Sequence, residues 1–296
     1  MGINIFQVDA FTDRPFGGNP AGVVPCAEGL TDEVMQIVAR EMNISETAFI
    51  HKLDDDLFKV RFFTPENEVE LCGHATIGGF FILAHKRYIK AIENGVKVIY
   101  QETGAGDLPV YIHYQDGEVS KVTMEQARPE SFGPVKDIDK LARSLNLKLE
   151  DIGLDGYDLK PEILSTGLKD IIIPVRSEEI LRGIEMDKEL LKEVSRENDV
   201  IGVHLFYMED TDGHEIVARN LAPLVGIDEE AATGTSNGAT IYYLKKEGVL
   251  KGNKILAHQG MYLNRPSRIY CEITEDGRIH VGGQARLSVD GILMVS

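Results

Sequence analysis

Three side chains in this 296-residue chain are candidates for acid–base chemistry: Glu46, His74 and Glu230. Glu46 sits in N-I-S-E-T-A-F-I (43–50), which reads as a strand, where a carboxylate has low propensity. A carboxyl partly desolvated in a cleft has a raised pKa, and that suits proton transfer near neutral pH. The plainer reading is a solvent-facing strand glutamate. His74 falls one residue inside a helix start, where it can donate a hydrogen bond or shuttle a proton. The plainer reading there is an exposed first-turn histidine. Glu230 lies three residues before Thr233-Gly234 and reads as a second carboxylate for the site. Glu229 beside it reads as a counter-charge to a helix dipole.

Two helix starts position these groups. The first, Cys72-Gly73-His74, follows the short strand R-F-F-T (61–64) and a turn at Pro65. Gly73, Ala75, Gly78 and Gly79 leave little bulk over its first turns, so a ligand can approach the polarised N–H groups. The second start is Thr233-Gly234-Thr235. Cys72 invites comparison with cofactor-free racemases that use a thiol from each half, but its counterpart is Thr233, so a two-thiol mechanism is not expected. Cys72 then reads as a small buried residue. Asn19, in G-G-N-P-A-G (17–22), can point into a cleft or simply form the turn. Neither nucleotide-binding glycine motif occurs, and the eight histidines have no metal-ligand spacing, so no cofactor and no metal are expected.

The two starts belong to a repeat. Arg61 matches Arg219 and Pro65 matches Pro223, both 158 residues on, and Cys72-Gly73 matches Thr233-Gly234, 161 on. Arg40-Glu41 matches Arg196-Glu197, Asp116-Gly117 matches Asp276-Gly277, and Gln126-Ala127-Arg128 matches Gln284-Ala285-Arg286. Glu46 matches Gly202, 156 on, so the acid is unique to one half. Two collinear copies predict a duplicated domain, 1–128 and 129–296, joined by R-P-E-S-F-G-P (128–134). Each copy reads as antiparallel strands around one buried helix. The spacing predicts strands over 3–11, 43–50, 57–64 and 96–102, a Thr31-capped helix to about Met42, and a hairpin at Asp116-Gly117. An α+β pair of pseudo-symmetric domains would set the two helix starts facing one another across a cleft suited to a small carboxylate.

Lys plus Arg is 31 and Asp plus Glu is 48, a net charge of 31 − 48 = −17. That argues against nucleic acid and against an anionic membrane surface as partners. The N-terminal residues lack the pattern of a signal peptide, and no apolar run is long enough for a membrane helix. Cys26, Cys72 and Cys271 form no disulfide framework, which fits a reducing cytoplasm.

The chain resembles the phenazine-biosynthesis isomerase-like (PhzF-like) family, within the diaminopimelate-epimerase-like fold. The resemblance rests on V-D-A-F-T (8–12), G-N-P-A-G-V (18–23), S-E-T-A-F (45–49), the run from Phe62 through C-G-H-A-T (72–76), and A-T-G-T (232–235). It implies barrel-like domains that each wrap a helix, a homodimer, and a cofactor-free isomerisation of a dihydro-hydroxyanthranilate in which a glutamate carries the proton. Glu46 falls on that glutamate. Gly73 and His74 fall on the first helix start, Gly234 and Thr235 on the second, and Asn19 on a loop that closes over substrate. Relatives read E-D-P-A-T-G-S where this chain has E-E-A-A-T-G-T (229–235), so Glu230 stands for an aspartate and Thr235 for a serine.

The resulting expectation is an isomerase acting on a small, carboxylate-bearing, cyclic amino-acid-like substrate. Glu46, His74 and Glu230 are its catalytic groups, and Asn19, Ser45, Gly73, Gly234 and Thr235 contact substrate. The alternatives are an epimerase or racemase of the same fold, or a binding protein without turnover.

Overall fold

Apolar side chains from Ile3 onward turn inward along Gly2–Ala10, and this stretch forms strand β1. The computed structural model describes residues 2–209 and 214–295. Among them are 18 strands and six α-helices, a mixed α/β architecture. They group into two units, Met1–Glu125 with Gly282–Ser296, and Gln126–Val281. The last strand goes with the first unit, because it pairs along the whole of β1.

In the first unit β2 (Asn19–Val24), helix α1 (Asp32–Met42), β3 (Glu46–Lys52), β4 (Leu57–Phe63) and the short β5 (Glu68–Val69) lead to helix α2 (Gly73–His85). β6 (Gly95–Thr103), β7 (Gly106–Gln115) and β8 (Glu118–Glu125) follow. The Thr31 hydroxyl accepts the Val34 N–H and caps α1 as expected. Asp116 and Gly117 both take positive φ, 52° and 74°, which gives the β7–β8 turn the hand that matches strand twist. Ser45 was read as part of a strand. It lies instead in the exposed bend before β3, because Asn43 ends α1 in the left-handed region at φ 50°.

The second unit runs through β9 (Glu130–Pro134), α3 (Ile138–Ser144), β10 (Glu162–Ser165), β11 (Lys169–Pro174), α4 (Glu178–Arg182) and α5 (Lys188–Asn198). It continues with β12 (Gly202–Tyr207), β13 (Glu215–Ala222), β14 (Ile227–Glu230), α6 (Gly234–Lys246), β15 (Lys254–Gln259), β16 (Ser267–Ile273) and β17 (Ile279–Gly283). β18 (Ala285–Met294) then returns to β1. The stretch read as a linker, 128–134, contains β9, which pairs antiparallel with β10.

The antiparallel expectation needs correction. β2 and β3 are parallel, as are β4 and β6, β11 and β12, and β13 and β15. Each of these pairs is joined through a helix, and a parallel pair needs such a crossover. The order of strand, helix, parallel strand, antiparallel strand, helix and parallel strand occurs once in each unit.

α2 is the core element of its unit. His74 through Ala84 are all buried, and α2 packs on β1, β2, β3, β7 and β8. Gly78 allows this approach, since a Cβ there would meet Val8 Cγ1 at 2.5 Å. A second apolar layer lies under α1, with Met35 and Val38 against Phe49 and Phe63. In the other unit Leu141, Leu181, Leu191 and Val194 pack on Ile171, Val203 and Leu205. No helix among the described residues is long and apolar enough to cross a membrane.

Candidate active site

Glu46 opens β3, opposite Ala21 of the parallel β2. α2 begins at Gly73 after the extended Cys72, with no side chain capping it and no acid in its first turn. This start therefore keeps its positive end available to an anion.

The structure brings Glu46 and His74 together. Glu46 Oε2 lies 3.1 Å from His74 Nε2, with the side chains 19% and 7% exposed. The atoms touch, yet neither is aligned for a hydrogen bond. On its other side the ring places Nδ1 3.4 Å from Cys72 Sγ. A protonated imidazole offers a donor toward each neighbour, so no choice of tautomer is required.

The electrostatics reverse one expectation. Burial pushes the Glu46 carboxyl up, but the positive charge of His74 in contact with it outweighs burial and holds the carboxyl below its ordinary 4.5. Burial works against the His74 imidazolium, but Cys72 and Glu46 beside it lift it well above 6.5. Burial raises the Cys72 thiol. At neutral pH an ionised Glu46 therefore faces a protonated His74. The sequence reading allowed for desolvation of Glu46 but not for a cation 3.1 Å away.

Gly202, which the sequence repeat sets against Glu46, cannot carry a side chain in place. A Cβ there would stand 2.2 Å from Leu221 O and 2.9 Å from Ala222 Cα, both backbone atoms. Asn19, expected in a loop, is 3% exposed and opens β2 paired with Ala10. Gly18 before it, at φ 59°, would drive a Cβ to 2.1 Å from Ala10 O, so the close turn requires glycine. Ser45 is exposed beside Glu46. A cavity of about 330 Å³ is lined by Arg61, Glu68 and Glu70, and none of Glu46, Cys72 or His74 borders it. Its arginine is held by Glu68 and Asp32.

In the second unit Glu230, Gly234 and Thr235 gather at the start of α6, which likewise has no side-chain cap and no acid in its first turn. Thr233 Oγ1 donates to Glu230 Oε2 at 3.0 Å. Thr166 Oγ1 donates to the Thr235 carbonyl at 2.7 Å. Glu229 serves a different purpose, accepting both Nε and Nη2 of Arg219 at 3.0 and 2.8 Å.

Sequence reasoning missed Gln259 and Asp170. Gln259 is fully buried at the end of β15. Its Nε2 donates to Glu230 O at 2.8 Å and to Thr233 Oγ1 at 3.0 Å. Its Oε1 accepts Thr233 N–H at 3.2 Å and Asn237 Nδ2 at 2.9 Å. That uses two donors and two acceptors, the full capacity of an amide. Thr233 Oγ1 accepts a hydrogen bond from Gln259 Nε2 and donates its own to Glu230 Oε2. Asp170 on β11 accepts Ser236 Oγ, Asn220 Nδ2 at 3.2 Å and Gly202 N–H at 3.0 Å. The available signals were an acid within K-D-I-I-I-P and polar residues in the first turn of an otherwise apolar helix.

Comparison with known proteins agrees with this architecture. The family model described as "phenazine biosynthesis-like protein" matches residues 8–291. An uncharacterized isomerase of Clostridium acetobutylicum is 38% identical over 285 residues, covering 92% of this chain and 90% of its own. The crystal structure of a PhzF-family phenazine biosynthesis protein from Bacillus anthracis superposes with a TM-score of 0.85 at 27% identity, covering 100% of both chains. A hydroxyproline epimerase from Agrobacterium vitis shares the fold at a TM-score of 0.64 and 14% identity, covering 99% of this chain and 91% of its own.

Proposed function

The chain belongs to the phenazine biosynthesis-like family, several of whose matched relatives are named uncharacterized isomerases, and we propose that it is a cofactor-independent isomerase with Glu46 as its proton carrier. The observation that carries this reading is the buried Glu46–His74 contact of 3.1 Å beside the uncapped start of α2.

Glu46, ionised at neutral pH, takes a proton from a substrate carbon and returns it to another. The His74 imidazolium stabilises the Glu46 carboxylate before the proton is taken and after it is returned, and offers a hydrogen bond to charge that develops on the substrate. N–H groups at the start of α2, residues 73–75, hold a substrate carboxylate. Glu230, fixed by Thr233, relays or polarises, and Asn19 and Ser45 bound the substrate. The substrate class is a small, cyclic amino-acid-like carboxylate, similar to a dihydro-hydroxyanthranilate. The protein acts as a homodimer.

The test is incubation in D₂O with dihydro-hydroxyanthranilate and a panel of small cyclic and acyclic amino acids, followed by NMR. Deuterium uptake into a rearranged product that Glu46→Gln abolishes is the expected result. Exchange with inversion at a stereocentre and no rearrangement would replace the isomerase by an epimerase. Turnover that survives Glu46→Gln would remove Glu46 from the role.

A further inference from the structure

The thiol of Cys72 has no part in the proposed proton transfer, yet it completes a set of metal-ligating atoms. One atom each from Glu46, Cys72 and His74 lies within 4.8 Å of the other two. A tetrahedral zinc ion spaces such atoms by about 3.3–3.6 Å, given bonds of about 2.0 Å to nitrogen or oxygen and 2.3 Å to sulfur. Two spacings are close to that already, 3.4 Å from Sγ to Nδ1 and 3.1 Å from Nε2 to Oε2. Oε2 and Nε2 are buried without an aligned hydrogen bond, so a cation there displaces no well-formed one.

We infer that Glu46, Cys72 and His74 form a binding site for a soft divalent cation of the zinc class. One ring nitrogen, the thiolate and the carboxylate are the ligands, and binding releases the thiol proton and one imidazolium proton to solvent. The ring uses a single nitrogen for one ion, so it turns between its two neighbours on binding. A sulfur and a nitrogen in the set favour zinc-class ions over magnesium and calcium, which prefer oxygen. The two anionic ligands carry a formal charge of −2, which exceeds the roughly +0.5 of a helix N-terminus. Three protein ligands leave a fourth position for water or a small molecule. A cation bound there occupies the base and silences proton transfer, so the site is inhibitory. The ion site rests on ligand geometry and stands whatever the substrate; only its inhibitory effect rests on the isomerase reading.

The test titrates the full-length protein with CdCl₂ and follows the ultraviolet thiolate-to-cadmium charge-transfer band, which reports binding without turnover. One equivalent should saturate the band, and Cys72→Ser should abolish it. His74→Gln and Glu46→Gln should each weaken binding at least about tenfold, since even the loss of an outer partner costs that much. Cys26→Ser should leave the band intact, since exposed Cys26 lies outside the cluster. ZnCl₂ should displace the cadmium. If Cys72→Ser does not fold, the cadmium NMR shift of the wild-type complex decides, and it must report a single sulfur ligand. Absence of the band, a band removed by Cys26→Ser, or a shift without sulfur overturns the inference.

Discussion

Asp170 lies opposite Gly202 across the parallel β11–β12 pair and accepts its N–H at 3.0 Å. In the first unit the parallel pair β2–β3 sets Ala21 opposite Glu46. The acid is thus on the second strand in one unit and on the first strand in the other. The backbone carbonyl of Leu221 enforces the difference by filling the space beside Gly202.

Gly202→Ala should therefore be among the most damaging small substitutions in the chain. Its Cβ would meet backbone at 2.2 Å, and backbone cannot swing aside as a flexible side chain can. The expected cost is about 3 kcal/mol or more, at the upper end of overpacking effects. Urea denaturation beside Gly277→Ala provides the measurement. A Cβ at Gly277 meets nothing within 4 Å, although its φ of 80° imposes a smaller strain.

Asp170 should make stability depend on pH in an unusual direction. Burial raises its carboxyl above 3.8 in the folded state, against the donors Ser236, Asn220 and Gly202. Between 3.8 and that raised value the folded chain binds more protons than the unfolded chain, so this group's contribution falls as pH rises. Asp170→Asn cannot ionise. The stability of the wild type minus that of Asp170→Asn should decline with increasing pH above 3.8, as measured by urea denaturation. A difference that rises over this range would show that the donors prevail over burial.

The Glu46–His74 pair works in the opposite sense at each end of its window. The Glu46 carboxyl is depressed, so its contribution is complete above 4.5 and is lost as pH falls through the depressed value. The His74 imidazolium is raised, so its contribution is complete below 6.5 and is lost only as pH rises through the raised value. NMR titration should find His74 still protonated well above pH 6.5. In Glu46→Gln the burial opposing the cation loses one of its two counterweights, and the imidazole should titrate lower. Under turnover, the acid limb of kcat/KM should fall below 4.5 and the alkaline limb above 6.5, as properties of the pair.

The sequence made the local features legible. Thr31 as a cap, Asp116-Gly117 as a turn and the wholly apolar α2 each follow from neighbours within a few residues. Glu46, His74 and Glu230 were legible as residue types at helix and strand starts. Their charge states were not, because these depend on a contact between β3 and α2 that composition does not reveal. Asp170 was hidden for the same reason, since its side-chain partners lie 50 and 66 residues away. The parallel pairs were missed because strand periodicity is the same in both directions, and only the intervening helix distinguishes them.

Gln259 is the sharpest case of a side chain whose importance lies in its partners. It joins Glu230, Thr233 and Asn237 through four hydrogen bonds, and the Thr233 bonds bridge 26 residues. Gln259→Leu keeps similar bulk but leaves the Thr233 N–H and the Glu230 carbonyl without this partner; a fully buried group would cost about 1–3 kcal/mol, and partial burial of these two keeps each toward the lower part of that range. The expected loss is about 2–4 kcal/mol, read as a lower urea midpoint with an unchanged slope. Gln259→Glu is the more specific test. Its carboxylate retains acceptance from Thr233 N–H and Asn237 but turns an oxygen toward the Glu230 carbonyl and removes the donor to Thr233 Oγ1. Thr233 can then direct its hydroxyl proton to residue 259 and release Glu230. If Gln259 acts by orienting Glu230 through Thr233, Gln259→Glu should lower turnover beyond its effect on stability, and Thr233→Val should produce the same kinetic defect. Equal activity in folded Gln259→Glu and wild type would reduce Gln259 to a packing role.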